Sequence, residues 1–195
     1  MKKLVLSFCL LLITFCAMAQ SQDFKKAVAK YKNVSSLTAT ATRTVHKAGS
    51  AKDKVVAGTL SVKKDGKVAI VNGKDALIMN GTAFTMKKGP LKAKTDATKD
   101  MQYRTFHDVL VNILLEGNAD ISKYSDTKIT KANGNTVYTI KPSAGNKKLM
   151  FTSFVITASG KELKSIRLDR SNGQYTEYVF SDYKTGVTID DKVFK

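Results

Sequence analysis

The feature that most constrains this chain is a run of three tight-turn dipeptides within seventeen residues: Asp65-Gly66, Asn72-Gly73 and Asn80-Gly81. Asn, Asp and Gly tolerate the positive φ of two-residue hairpin loops, so each pair reads as the end of one strand and the start of an antiparallel partner. The segments between them are too short for helices. They predict strands over Val55 to Lys63, Lys67 to Val71, Asp75 to Met79 and Thr82 to Lys87, in an antiparallel meander. Upstream, Leu37, Ala39, Ala41 and Val45 alternate with Thr38, Thr40, Thr42 and Thr44, a period of two that predicts another strand.

The pattern breaks at Lys88. Residues 88 to 102 are polar and open on Gly89-Pro90, which predicts a mobile loop. Strands resume at Asp126 to Lys131, turn at Asn133-Gly134, and continue through Thr136 to Lys141, Leu149 to Thr157, Glu162 to Asp169 and Tyr175 to Phe180. Leu149 to Thr157 carries apolar residues in both phases: Phe151 and Val155 in one, Met150, Phe154 and Ile156 in the other. A half-solvated antiparallel strand would make one phase polar, so this strand is expected to be covered on both faces. A last extended piece is predicted over Val187 to Phe194, with Asp190-Asp191 as an exposed turn.

Two helices interrupt the strands. Phe24, Ala27, Val28 and Tyr31 form a stripe at helical spacing after a capping Ser21. Phe106, Val109, Leu110, Ile113 and Leu114 form a wider one between Tyr103 and Glu116, stopped by Gly117-Asn118. The fold class expected is mainly β with few helices.

Residues 1–19 predict a secretory signal peptide: Lys2 and Lys3, an apolar Leu4 to Phe15, and small residues at Ala17 and Ala19 before a cleavage site. Cleavage leaves residues 20–195 as one domain in the periplasm and removes both cysteines, Cys9 and Cys16. Phe15 before Cys16 makes a poor lipid-attachment context, so a freely diffusing protein is expected, acting as a monomer. Loss of Lys2 and Lys3 lowers the formal charge from +17 to +15. The lysines are dispersed rather than striped, which argues against nucleic acid and for a solvated basic surface or attraction to an anionic membrane or polymer.

Catalytic patterns are missing. His46 lies among strand threonines, and His107 beside Asp108 points to a different side of a helix. The chain has no Gly-x-Ser-x-Gly elbow, phosphate loop or metal-ligand cluster, so no cofactor and no metal are expected. An enzyme with an unmarked carboxylate pair remains an alternative, behind a binding protein.

In order along the chain, Lys32-Asn33-Val34-Ser35-Ser36-Leu37-Thr38-Ala39-Thr40-Ala41-Thr42, Gly58-Thr59-Leu60-Ser61-Val62, Ala76-Leu77-Ile78-Met79-Asn80-Gly81, the helix from Thr105 to Leu115, and Leu163 to Phe180 with Asp169, Gly173, Gln174 and Thr176 resemble the periplasmic lipoprotein-carrier family LolA. The resemblance implies a curved antiparallel sheet forming an incomplete β-barrel covered by helices. It implies a periplasmic carrier that holds lipoprotein acyl chains in an apolar cavity between inner and outer membrane, loaded by an inner-membrane ABC transporter. On that template the cavity candidates are Leu60, Val62, Leu77, Met79, Phe84, Met86, Phe154 and Ile156 on strands, with Leu110, Ile113 and Leu114 on the lid. Members that carry Lys-Arg-Pro after the Gly-x-Leu-x-Val strand hold the lid with that arginine; here Lys63-Lys64-Asp65 stands instead, making Lys64 the lid-closing candidate. Ala41 and Ser61 replace aromatic residues typical of the family.

Overall fold

Threonine alternation makes β1 (Ser36–His46) an eleven-residue strand, and it is the axle of the architecture. In a computed structural model, which describes residues 33–96, 126–141, 151–159 and 162–195, β1 pairs with three other strands. The remaining strands are β2 (Lys54–Val56), β3 (Thr59–Lys63), β4 (Lys67–Asn72), β5 (Asp75–Asn80), β6 (Ala83–Lys88), β7 (Leu91–Asp96), β8 (Asp126–Ala132), β9 (Asn135–Lys141), β10 (Ser153–Ser159), β11 (Glu162–Asp169) and β12 (Tyr175–Thr185). They form one antiparallel sheet in the order β7-β6-β5-β4-β3-β1-β12-β11-β10-β9-β8, with the short β2 alongside β1. β7 and β8 end the order, so the sheet is not closed.

The hairpins follow the predicted punctuation, with the phase shifted by one residue at two of them. Asn72 pairs with Asp75 and Asn80 with Ala83, so each asparagine ends its strand and the two-residue loop is Gly73-Lys74 or Gly81-Thr82. Gly73 and Gly81 open these loops at φ 62° and 57°. Only at Asn133-Gly134, among the described hairpins, do both loop residues take positive φ.

Four expectations are corrected. Residues 91–96, expected within a mobile loop, are β7, paired along its whole length with β6; among the described residues it has no second neighbour, and Lys92 and Lys94 are exposed. Val55 to Lys63 divides into β2 and β3 around Gly58. β10 begins at Ser153, and its Phe154, Ile156 and Ala158 are buried while Val155 and Thr157 are only partly so, which is ordinary alternation rather than two covered faces. The extended C-terminal piece ends instead in a 3-10 helix, Asp191–Phe194, in which Asp190 Oδ1 accepts the Lys192 N–H at 2.9 Å.

That last turn has a packing role. Ile189 and Phe194 bury themselves against Ala69 and Ile78, on the outer face of β4 and β5. Asp191, expected as a plain exposed turn residue, receives Lys63 Nζ at 2.7 Å and Lys67 Nζ at 3.6 Å, tying the tail to the β3–β4 hairpin. Both predicted helices and the signal peptide lie outside the described residues.

Candidate functional site

The opposite face of the sheet carries a continuous apolar lining. Cross-strand pairs run across it in rows: Leu37–Val62–Val68–Met79–Phe84 on one side of β1, and Ala41–Phe180 leading to Tyr178–Ile166–Ile156–Tyr138 on the other. Ala39–Leu60–Ile70–Leu77–Met86 and Ile140–Phe154–Leu168 form further rows. Directly opposed side chains on one face are the contacting unit of a sheet, and these residues make up one cluster. All eight strand candidates stand in it: Leu60, Val62, Leu77, Met79, Phe84, Phe154 and Ile156 are buried, and Met86 packs on the rim, partly buried. Among the described residues only Val34 and Phe151 join this cluster from outside the strands. Leu110, Ile113 and Leu114 lie outside the described residues. Lys64 is exposed in the β3–β4 turn, where its backbone N–H donates to Ser35 O at 3.0 Å.

One end of the apolar face is polar, and it shows which way the sheet curves. Arg43 of β1 donates from Nη2 to Asp75 Oδ2 of β5 at 2.6 Å. β1 and β5 are separated by β3 and β4. In a flat sheet three strand spacings would hold them about 14 Å apart. That exceeds what the two side chains span, so the sheet curls, and this face is its concave side.

Asn72 fastens the curl: its Nδ2 donates to Ala41 O at 2.6 Å and to Val56 O at 3.1 Å. Gly58 makes room for it. The Ala41 N–H donates to Gly58 O at 2.9 Å, and a Cβ on Gly58 would overlap Val71 O and the Asn72 amide.

Arg43 and Asp75 are largely buried, with side-chain exposures of 14% and 21%. The hydrogen bond from Arg43, joined by the Gly89 N–H at 3.0 Å, holds the Asp75 carboxyl below the usual carboxylate range against the opposing effect of burial. Tyr178, opposite Arg43 on β12, is buried, and that burial pushes its hydroxyl up while the neighbouring guanidinium pulls it back. Arg43 Nε is buried with no hydrogen-bond partner.

A carboxyl with a depressed folded-state pKa adds stability that is fully present above the unfolded value of about 4 and is lost as pH falls through the folded one. Asp75→Asn is therefore expected to be destabilised relative to wild type at pH 7, with the gap narrowing below about pH 4. Urea denaturation at a series of pH values checks this; a gap that stays constant from neutral to acid would show that the charge of Asp75 contributes nothing.

The sequence reading missed this cluster, although a signal was present. Arg43 sits in the same strand phase as Leu37, Ala39, Ala41 and Val45, and Asp75 in that of Leu77 and Met79. A charge of each sign in an inward phase marks a pair held out of water. His46 also gains partners: Nδ1 lies 2.7 Å from Asp53 Oδ1, and its ring stacks on Tyr175 at 4.8 Å. These groups are half-exposed at the end of β1 and close the β1–β2 connection against β12. Among the described residues no group of three or more His, Cys, Asp or Glu side chains is placed to hold a metal ion.

The family model described as outer membrane lipoprotein carrier protein LolA matches residues 32–195. No curated protein matches the sequence. Similar solved structures include a LolA superfamily protein from Nitrosomonas europaea, at 9% identity and TM-score 0.45, covering 90% of this chain and 96% of that one. Another is a domain from Vibrio parahaemolyticus described as an outer membrane lipoprotein-sorting protein, at 12% identity and TM-score 0.45, covering 90% and 97%. A third is the lipoprotein LppX of Mycobacterium tuberculosis, at 10% identity and TM-score 0.44, covering 88% and 98%.

Proposed function

We propose that this chain, which belongs to the LolA family of outer membrane lipoprotein carrier proteins, holds the acyl chains of a lipoprotein against the concave face of its sheet and moves them between the inner and outer membranes. The observation that carries this reading is the apolar face of a curved, unclosed sheet, with the Arg43–Asp75 pair at one end of it. Three acyl chains of about sixteen carbons, at roughly 0.8 kcal/mol per buried CH2, cost about 40 kcal/mol in water. Such cargo crosses an aqueous compartment only when covered.

In this reading Leu60, Val62, Leu77, Met79, Phe84, Met86, Phe154 and Ile156 line the floor, and Leu110, Ile113 and Leu114 belong to the cover. The polar end of the cargo lies at Arg43, whose Nε is left over as a donor for an ester or amide carbonyl. Binding of this kind uses shape and burial and requires no catalytic group, which fits a carrier rather than an enzyme. The chain acts as a monomer in the periplasm, loaded by an inner-membrane ABC transporter.

Native mass spectrometry of the protein taken from its own cell envelope tests the carrier reading. A fraction of the wild-type protein is expected to carry acylated ligand, and Ile113→Asp to lose it at least tenfold while keeping the far-ultraviolet spectrum of a β-rich fold. Ligand-free wild-type protein in repeated preparations would sink the proposal.

A further inference from the structure

The end of the sheet that carries Arg43 and Asp75 also carries a rim that this pair does not use. The rim has three parts, joined by contacts on either side of Asp75. Asn72 Nδ2 donates to Val56 O at 3.1 Å, and a Cβ on Gly73 would lie 3.7 Å from Val56 Cγ1, which seats β2 beside the β4–β5 turn. The Gly89 N–H donates to Asp75 at 3.0 Å, which seats the β6–β7 turn on the other side.

The exposed cations along this rim are Lys54 on β2, Lys74 in the β4–β5 turn, and Lys88 and Lys92 flanking Gly89-Pro90-Leu91. None of the four forms an ion pair with a described residue. The nearby carboxylates are already committed: Asp75 to Arg43, and Asp53 to His46 and Tyr175. Between the lysines stand two large apolar side chains in water, Leu91 at 72% and Val55 at 61% exposure.

An apolar side chain on β2 and another at the start of β7, set among exposed lysines, have the chemistry of a surface that meets lipid headgroups: the cations stay at the phosphates and the apolar side chains enter between them. We propose that the rim formed by Lys54, Val55, Lys74, Lys88, Leu91 and Lys92 docks the protein on an anionic phospholipid surface. The rim sits at the polar end of the concave face, so docking sets that end against the bilayer. Docking of this kind uses exposure and charge alone, whatever the concave face holds.

Co-sedimentation of the full chain with vesicles of equal parts phosphatidylcholine and phosphatidylglycerol, compared with phosphatidylcholine alone, tests it. A lysine next to an anionic surface strengthens partitioning about fivefold. Lys74→Ala/Lys88→Ala/Lys92→Ala is therefore expected to weaken binding to the anionic vesicles about a hundredfold. Lys128→Ala/Lys184→Ala/Lys192→Ala, which removes the same charge elsewhere, should weaken it only severalfold. Leu91→Ser should weaken binding by roughly tenfold at low salt and leave the fold's melting temperature unchanged. Raising the salt to about 0.5 M, where the screening length is roughly 4 Å, should release the wild-type protein. Equal losses from the two lysine triples, or binding to both vesicle types alike, would overturn the proposal. Binding to polyglutamate that needs the same lysines but ignores Leu91→Ser would assign the rim to an acidic polymer and overturn it equally.

Discussion

Gly58→Ala is expected to lower stability by about 3–5 kcal/mol, because among the described glycines Gly58 leaves the least room for a Cβ. The added Cβ overlaps Val71 O and the Asn72 amide. Val71 is locked to Thr59 in the β3–β4 ladder, so the backbone oxygen cannot retreat, and the Asn72 side chain must move instead. Its Nδ2 then loses Ala41 O and Val56 O in a buried place. Overpacking of this kind costs roughly 1–3 kcal/mol and an unsatisfied buried donor about as much again. For a chain of this length the midpoint of thermal unfolding should fall by about 10 °C. A variant melting within about 2 °C of wild type would show that the corner is looser than Gly58 suggests.

Phe154→Ala is expected to cost about 3–5 kcal/mol through cavity formation. Phe154 is fully buried between Ile140 of β9 and Leu168 of β11, with the Phe151 ring 6.1 Å away at a 54° tilt. Removing the ring leaves a void in the row that β9, β10 and β11 share. Phe154→Leu keeps most of the volume and should cost about 1 kcal/mol. Guanidinium denaturation separates the outcomes. The alanine variant should unfold at a lower midpoint with an unchanged slope, whereas a midpoint equal to that of the leucine variant would mean that the site collapses around the missing ring.

The hairpins were legible in the sequence because turn chemistry is local: Asn72-Gly73, Asn80-Gly81 and Asn133-Gly134 each announce a reversal within two residues. The inward face was legible for the same reason, since one alternation assigns Leu60 and Val62, or Leu77 and Met79, to one side. What depends on curvature was not. Arg43 and Asp75 lie 32 positions apart in sequence and three strand spacings apart in a flat sheet, and they meet only because the sheet curls. No local pattern in β1 or β5 encodes that bend; the nearest cue was Gly58, where a glycine interrupts an otherwise good strand. β7 was hidden by its own position, because an edge strand tolerates the lysines that read as a loop. The C-terminal 3-10 helix was hidden because Ile189 and Phe194 bury against the outer face of β4 and β5, a contact of more than a hundred residues in separation.

The open order of the strands has a mechanical consequence. In a closed barrel the circumference is fixed by a full ring of backbone hydrogen bonds, and enlarging the lumen means breaking a column of them. Here β7 and β8 end the sheet without pairing to one another. The gap between them can change by small adjustments of twist spread over every strand, with each ladder kept intact. The radius of such a sheet is therefore not fixed by its hydrogen bonds in the way that of a closed barrel is. In the carrier role proposed above, acyl chains of different girth would be gripped by the same side chains, and their release would need the sheet to relax rather than a strand to unzip.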